Sequence, residues 1–131
     1  MLEVKSKKQF ELLLQKYPVV VLDVYATWCQ PCIQLAPRLD ALEDDFKEVT
    51  GVKFCKSNIE HQLFNVTGLP TLLFFKAGEQ VNQVTGADFT KIEQTLRSLV
   101  PNSPVTRVQS VNTQPKYSSN RGSIYKTWGS M

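Results

Sequence analysis

Val19-Val20-Val21-Leu22 sets four apolar side chains on consecutive positions. Neighbouring residues of a strand point to opposite faces, so such a run must be covered on both sides, as a central strand is. The run passes through Asp23 and Val24 to Tyr25, and Trp28-Cys29-Gln30-Pro31-Cys32 follows closely. Ile33 to Phe46 then carries apolar residues at helical spacing. A Cys-x-x-Cys pair therefore stands at a strand-to-helix junction. Two intervening residues bring the sulfurs within bonding reach when the second cysteine opens a helix. The unpaired N–H groups and dipole of that helix start favour a thiolate. The thiolate is the nucleophile of thiol–disulfide exchange, so the junction is poised for that chemistry.

Two rival readings of the pair stay open at this level. A structural zinc needs four ligands. Only Cys55 and His61 remain to supply them, and Cys55 falls in a predicted strand with a buried face. A disulfide with a purely structural role is the other rival.

The rest of the chain reads as alternating strands and helices. Leu2 to Val4 is a short strand. Ser6 caps a helix, with Gln9 in the capping-box position and Phe10, Leu13 and Leu14 on its apolar face. Tyr17-Pro18 ends it. Asp23 interrupts an apolar strand, which is costly for a carboxylate without a partner or a task. The helix after the cysteines carries a stripe of Ile33, Leu35, Ala36, Leu39, Leu42 and Phe46, and Pro37 inside it predicts a kink. Val52 to Lys56 is a strand, and Ile59 to Val66 spans one or two helical turns. Thr71 to Phe75 and Gln80 to Val84 form a hairpin joined at Ala77-Gly78-Glu79. Asp88 opens a last helix with Phe89, Ile92, Leu96 and Leu99 or Val100 inward, and Pro101 ends it.

At 131 residues the chain has room for one domain. After residue 100 the periodicity dissolves into Asn, Ser, Thr, Gln, Pro and Gly. That predicts a domain over 1–100 and a tail over 101–131, extended or disordered in isolation. The tail holds Arg107, Lys116, Arg121 and Lys126 and no acid, a charge of +4; the first hundred residues keep 11 basic against 12 acidic side chains. Four scattered charges make a solvated tail and argue against nucleic acid. No run of about 18 apolar residues is present, so no membrane span is expected. The start lacks the layout of a secretion signal, and an odd cysteine count fits a reducing compartment, which points to the cytoplasm.

Over about residues 2–100 this order of elements resembles the thioredoxin family. Asp23, six residues before Cys29, matches the family's buried acid. Ala26-Thr27-Trp28-Cys29 matches the approach to its active site, and Pro37 its helix kink. Lys56 matches the lysine beside the acid, Gly68-Leu69-Pro70-Thr71 the cis-proline loop, Phe75-Lys76-Ala77-Gly78-Glu79 the hairpin, and Gly86 the glycine beside the substrate groove. Two features depart from the pattern. Gln30-Pro31 replaces the usual Gly-Pro, which bears on redox potential and partners, and the chain between Asn58 and Pro70 is several residues short.

The resemblance implies an α/β thioredoxin fold, a central mixed sheet flanked by helices, with a C-terminal extension. It implies a protein thiol–disulfide oxidoreductase using a Cys29–Cys32 redox disulfide. Cys29 would be the exposed attacking thiolate and Cys32 the shielded resolving thiol. Asp23 would take the Cys32 proton through water, and Lys56 would temper Asp23. Trp28, Gln30, Pro31, Leu69, cis-Pro70 and Gly86 would form the substrate surface, with the Leu69 backbone pairing to an extended peptide. No metal and no cofactor of its own are implied; a thioredoxin reductase would recycle the domain with NADPH. Disulfide-containing proteins are the expected targets. The rivals are a thioredoxin-fold adaptor or chaperone subunit docked through the tail, whose aromatic Tyr117, Tyr125 and Trp128 stand among basic residues, and a glutaredoxin-like activity.

Overall fold

The apolar run becomes the centre of the sheet. In the computed structural model, which describes residues 1–104, it is strand β2 (Val19–Tyr25), buried along all but its last residue. β1 (Leu2–Glu3) leads to α1 (Lys7–Lys16), then β2, α2 (Gln30–Asp45), β3 (Val52–Asn58), one 3-10 turn (Ile59–His61), β4 (Thr71–Lys76), β5 (Glu79–Thr85) and α3 (Phe89–Leu99). The strand order is β1-β3-β2-β4-β5. β2 pairs parallel with β3 on one side and antiparallel with β4 on the other. A parallel pair needs a crossover, which α2 supplies; β4 and β5 are joined by a tight hairpin.

Alternation along the strands sorts two cores. Val19 and Val21 of β2 share one face with Phe54, Leu72 and Phe74, covered by Leu35, Leu39 and Leu42 of α2 and Ile92 and Leu96 of α3. Val20, Leu22 and Val24 share the other face with Cys55, Leu73 and Phe75, covered by Phe10 of α1. Each fully buried side chain of this kind contributes about 1.5–3 kcal/mol. The mixed sheet flanked by helices agrees with the expected thioredoxin fold.

Local differences have physical causes. Ser6 caps α1 as expected, its side chain accepting from the Gln9 N–H. The Gln9 side chain, however, accepts from the Lys5 N–H at 2.8 Å and donates to the Glu3 carbonyl at 3.2 Å, so it ties α1 to β1. Ile33 and Ala36 of the expected α2 stripe are exposed; Cys32, Leu35, Leu39 and Leu42 face inward. At about 100° per residue, Ile33 sits well round from Cys32. β3 runs two residues beyond Lys56 because Ser57 and Asn58 pair with Val24 and Tyr25. Only Ile59–His61 is helical in the segment before Pro70.

Asp88 caps α3 by accepting from the Lys91 N–H. Beyond α3 the Ser103 hydroxyl donates to the Val100 carbonyl at 2.6 Å, and Arg97 donates to the Pro104 carbonyl. Arg107, Lys116, Tyr117, Arg121, Tyr125, Lys126 and Trp128 lie outside the described residues. Among the described residues no helix is long and apolar enough to cross a membrane.

Candidate active site

β2 ends at Tyr25, and three residues later the chain turns into α2 through Cys29, which is the N-cap of that helix. Pro31 lies in the first turn, where its missing N–H costs nothing and its fixed φ suits helix entry. The Cys29 Sγ accepts the Cys32 backbone N–H at 3.3 Å. A sulfur so placed takes a hydrogen bond from an otherwise orphaned helix donor and sits at the positive end of the dipole, which stabilises its anion. The Cys29 and Cys32 Cα atoms are 5.2 Å apart and the two sulfurs are paired as a disulfide.

Both cysteines are buried, Cys29 at 6 % and Cys32 at 5 % exposure. The expected contrast between an exposed and a shielded thiol is therefore absent from the paired state. They cluster with buried Ala26, and the half-buried Tyr25, Ile59 and Leu69 pack against them. Trp28 is not a core aromatic: its ring is 67 % exposed beside Cys29. Gln30 and Pro31 are exposed at the helix start.

The Leu69–Pro70 bond is cis, as the resemblance implies. Pro70 is buried, and its carbonyl accepts the Gly86 N–H at 2.7 Å. Gly86 has φ +100°, which a side chain would strain, so glycine meets a backbone demand there. The Thr71 hydroxyl donates to the Gly68 carbonyl at 2.6 Å and closes the loop. The loop and the end of β5 thus form one shelf, with Leu69 reaching the cysteines.

Asp23 is 6 % exposed, and its Oδ1 has no hydrogen-bond partner among the described residues. Burial pushes its carboxyl from the ordinary 3.8 up to about 7; Lys56 pulls it down, while Glu3 and Asp40 push it up. Lys56 is the Cα partner of Asp23 across the β2–β3 ladder, so the expected neighbour is in place. Its ammonium stands over the Tyr25 ring, 5.3 Å from the centroid. The sequence reading missed Tyr25, Ile59, Glu3 and Asn58. Of these, Glu3 alone left a signal, a charge opposite to that of Lys56 at its paired strand position, and reading it needs the strand register.

Cys55 is a core thiol, fully buried, with its Sγ 3.5 Å from the Val21 carbonyl. It lies on the sheet face opposite Asp23, and burial pushes it up to about 12. His61 is exposed. Among the described residues no three His, Cys, Asp or Glu side chains gather as a metal site.

A thioredoxin family model matches residues 1–98. Thioredoxin-1 of Saccharomyces cerevisiae is 32% identical over 97 residues, covering 70% of this chain and 91% of its own length. Thioredoxin-2 of Pyricularia oryzae is 34% identical over 100 residues, 75% of this chain; the match spans 58% of that longer protein. Among solved structures, Fasciola hepatica thioredoxin superposes with a TM-score of 0.68 at 28% identity, covering 75% of this chain and 98% of its own. These matches favour a thiol–disulfide oxidoreductase over an adaptor subunit. With the paired cysteines at the start of α2 and the cis-proline shelf beside them, the chain belongs to the thioredoxin family of protein-disulfide reductases.

Proposed function

We propose that Cys29 is the attacking thiolate, Cys32 the resolving thiol and Asp23 the base that receives the Cys32 proton. The Cys29 Sγ at the helix N-cap, accepting the Cys32 N–H, carries this reading. The Cys29 thiolate attacks a target disulfide; a Cys29–target S–S bond forms and the target's own S–S bond breaks, releasing one target thiolate. Asp23 takes the Cys32 proton, through water, and the Cys32 thiolate attacks the Cys29 sulfur. The Cys29–Cys32 bond forms and the second target thiolate leaves. Both target thiolates take up protons, so two electrons and two protons have passed to the target. An enclosed carboxyl raised to about 7 exchanges protons near neutrality, as this step demands.

The finer assignments extend the same reading. Trp28, Gln30 and Pro31 border the incoming disulfide, and the Leu69 backbone pairs with an extended target segment beside Pro70 and Gly86. A thioredoxin reductase returns the disulfide to the dithiol with electrons from NADPH, in the cytoplasm. Residues 1–100 are the catalytic domain, and 101–131 are a partner or localisation element dispensable for turnover. The decisive experiment is trapping. Cys32→Ser accumulates mixed disulfides with targets and Cys29→Ser accumulates almost none; equal trapping by both variants refutes the order of attack.

A further inference from the structure

Three strands set a lysine between two carboxylates. Lys56 of β3 is the Cα partner of Glu3 on β1 and of Asp23 on β2. Directly opposed residues point to the same face, so Glu3, Lys56 and Asp23 form a row on the face that α2 covers. Glu3 is pinned at both carboxylate oxygens. The Tyr25 hydroxyl donates to Oε1 at 2.8 Å, and the Asn58 N–H donates to Oε2 at 3.1 Å. Tyr25 stands two residues beyond Asp23 on the same face, and the Lys56 ammonium sits over its ring. A flexible cation drawn toward one fixed anion stands farther from the other, and its attraction to that other falls with the distance.

We propose that Glu3, held by Tyr25 and Asn58, is a positioning residue that draws Lys56 away from Asp23, leaving Asp23 a proton carrier rather than the lysine's permanent counter-ion. The inference rests on Asp23 being the base of resolution. The electrostatics run the same way: Lys56 pulls the Asp23 carboxyl down and Glu3 pushes it up. The other titratable groups that act electrostatically with Asp23 are Asp40 of α2, Tyr25 of β2 and, from the opposite face of β3, Cys55; β4 sets the apolar Leu72 opposite it. Tyr25 itself is raised to about 12, by burial first and then by its hydrogen bond to Glu3, so it stays a neutral donor through the working range.

Glu3→Gln tests this in the full chain, because it removes the charge and keeps a hydrogen-bonding group for Tyr25 and Asn58. The readouts are the Asp23 carboxyl titration by carbon-13 NMR and the pH profile of target reduction. The Asp23 midpoint is expected to fall by about half a pH unit, as for one removed charge at high effective dielectric. The acid limb of the turnover profile should move with it. Tyr25→Phe, which keeps the charge but frees it, should shift the midpoint the same way and by less. An unmoved Asp23 midpoint in Glu3→Gln overturns the proposal, even if the melting temperature drops. If Asp23→Asn leaves turnover unchanged across pH 6 to 9, a span of about the range in which such a group titrates, the base assignment fails. The NMR midpoint still decides whether Glu3 governs Asp23.

Discussion

A carboxyl enclosed between α2 and the sheet holds its proton more tightly in the folded chain than in the unfolded one. Asp23 titrates at about 7 when folded against 3.8 when free. The unfolded state therefore loses the proton first, and stability falls as pH rises from about 4 to about 7, then levels. At about 1.4 kcal/mol per unit the cost reaches at most about 4 kcal/mol. Asp23→Asn should therefore melt higher than the natural chain at pH 8 and nearly level with it at pH 4, while reducing targets more slowly. Denaturation curves at the two pH values check the first point and a reductase assay the second. Asp23 was readable because a charge inside Val19–Val24 demands a reason. Glu3 was not, since its partners are Tyr25 and Asn58, 22 and 55 residues away, and local periodicity carries no information about such contacts.

Elements announced themselves where one physical pattern dominated. Consecutive apolar residues gave away β2, a capping serine and aspartate marked the starts of α1 and α3, and Cys29–Pro31 marked that of α2. The misread side chains are Ile33 and Ala36, apolar residues turned to solvent, because apolarity alone does not say which side of α2 the sheet covers. Leu39, 1 % exposed in the middle of that helix, is the core test. Leu39→Ala should cost about 2–5 kcal/mol in urea unfolding. The β4–β5 hairpin offers the opposite sign. Ala77 has φ 52° and Gly78 φ 83°, the positive pair that a two-residue hairpin loop requires. Alanine is strained in that region, so Ala77→Gly should stabilise the chain by up to about 1 kcal/mol in the same assay, once glycine's larger unfolded-state entropy is subtracted.

On the scale of the whole molecule, the order of elements was enough to name the fold, because a both-sides-buried strand, a crossover helix and a hairpin leave few arrangements. The path of the sheet edges and the packing of Ile59 and Leu69 against the cysteine pair emerged only from tertiary structure. A chain ended after Pro104, which keeps the Arg97 contact to that residue, should melt cooperatively and reduce a small disulfide at nearly the full-length rate. Loss of its melting transition would place residues beyond 104 in the core. Cys55 has a further use. With Cys29 and Cys32 paired, it is the one remaining thiol of the three in the chain, and it has 0 % exposure. A thiol-alkylating reagent meets no accessible thiol in the oxidised protein until the α1-covered face of the sheet opens. The molecule thus carries its own stopwatch, and single labelling at Cys55 counts openings of the core beneath α1 without an added probe.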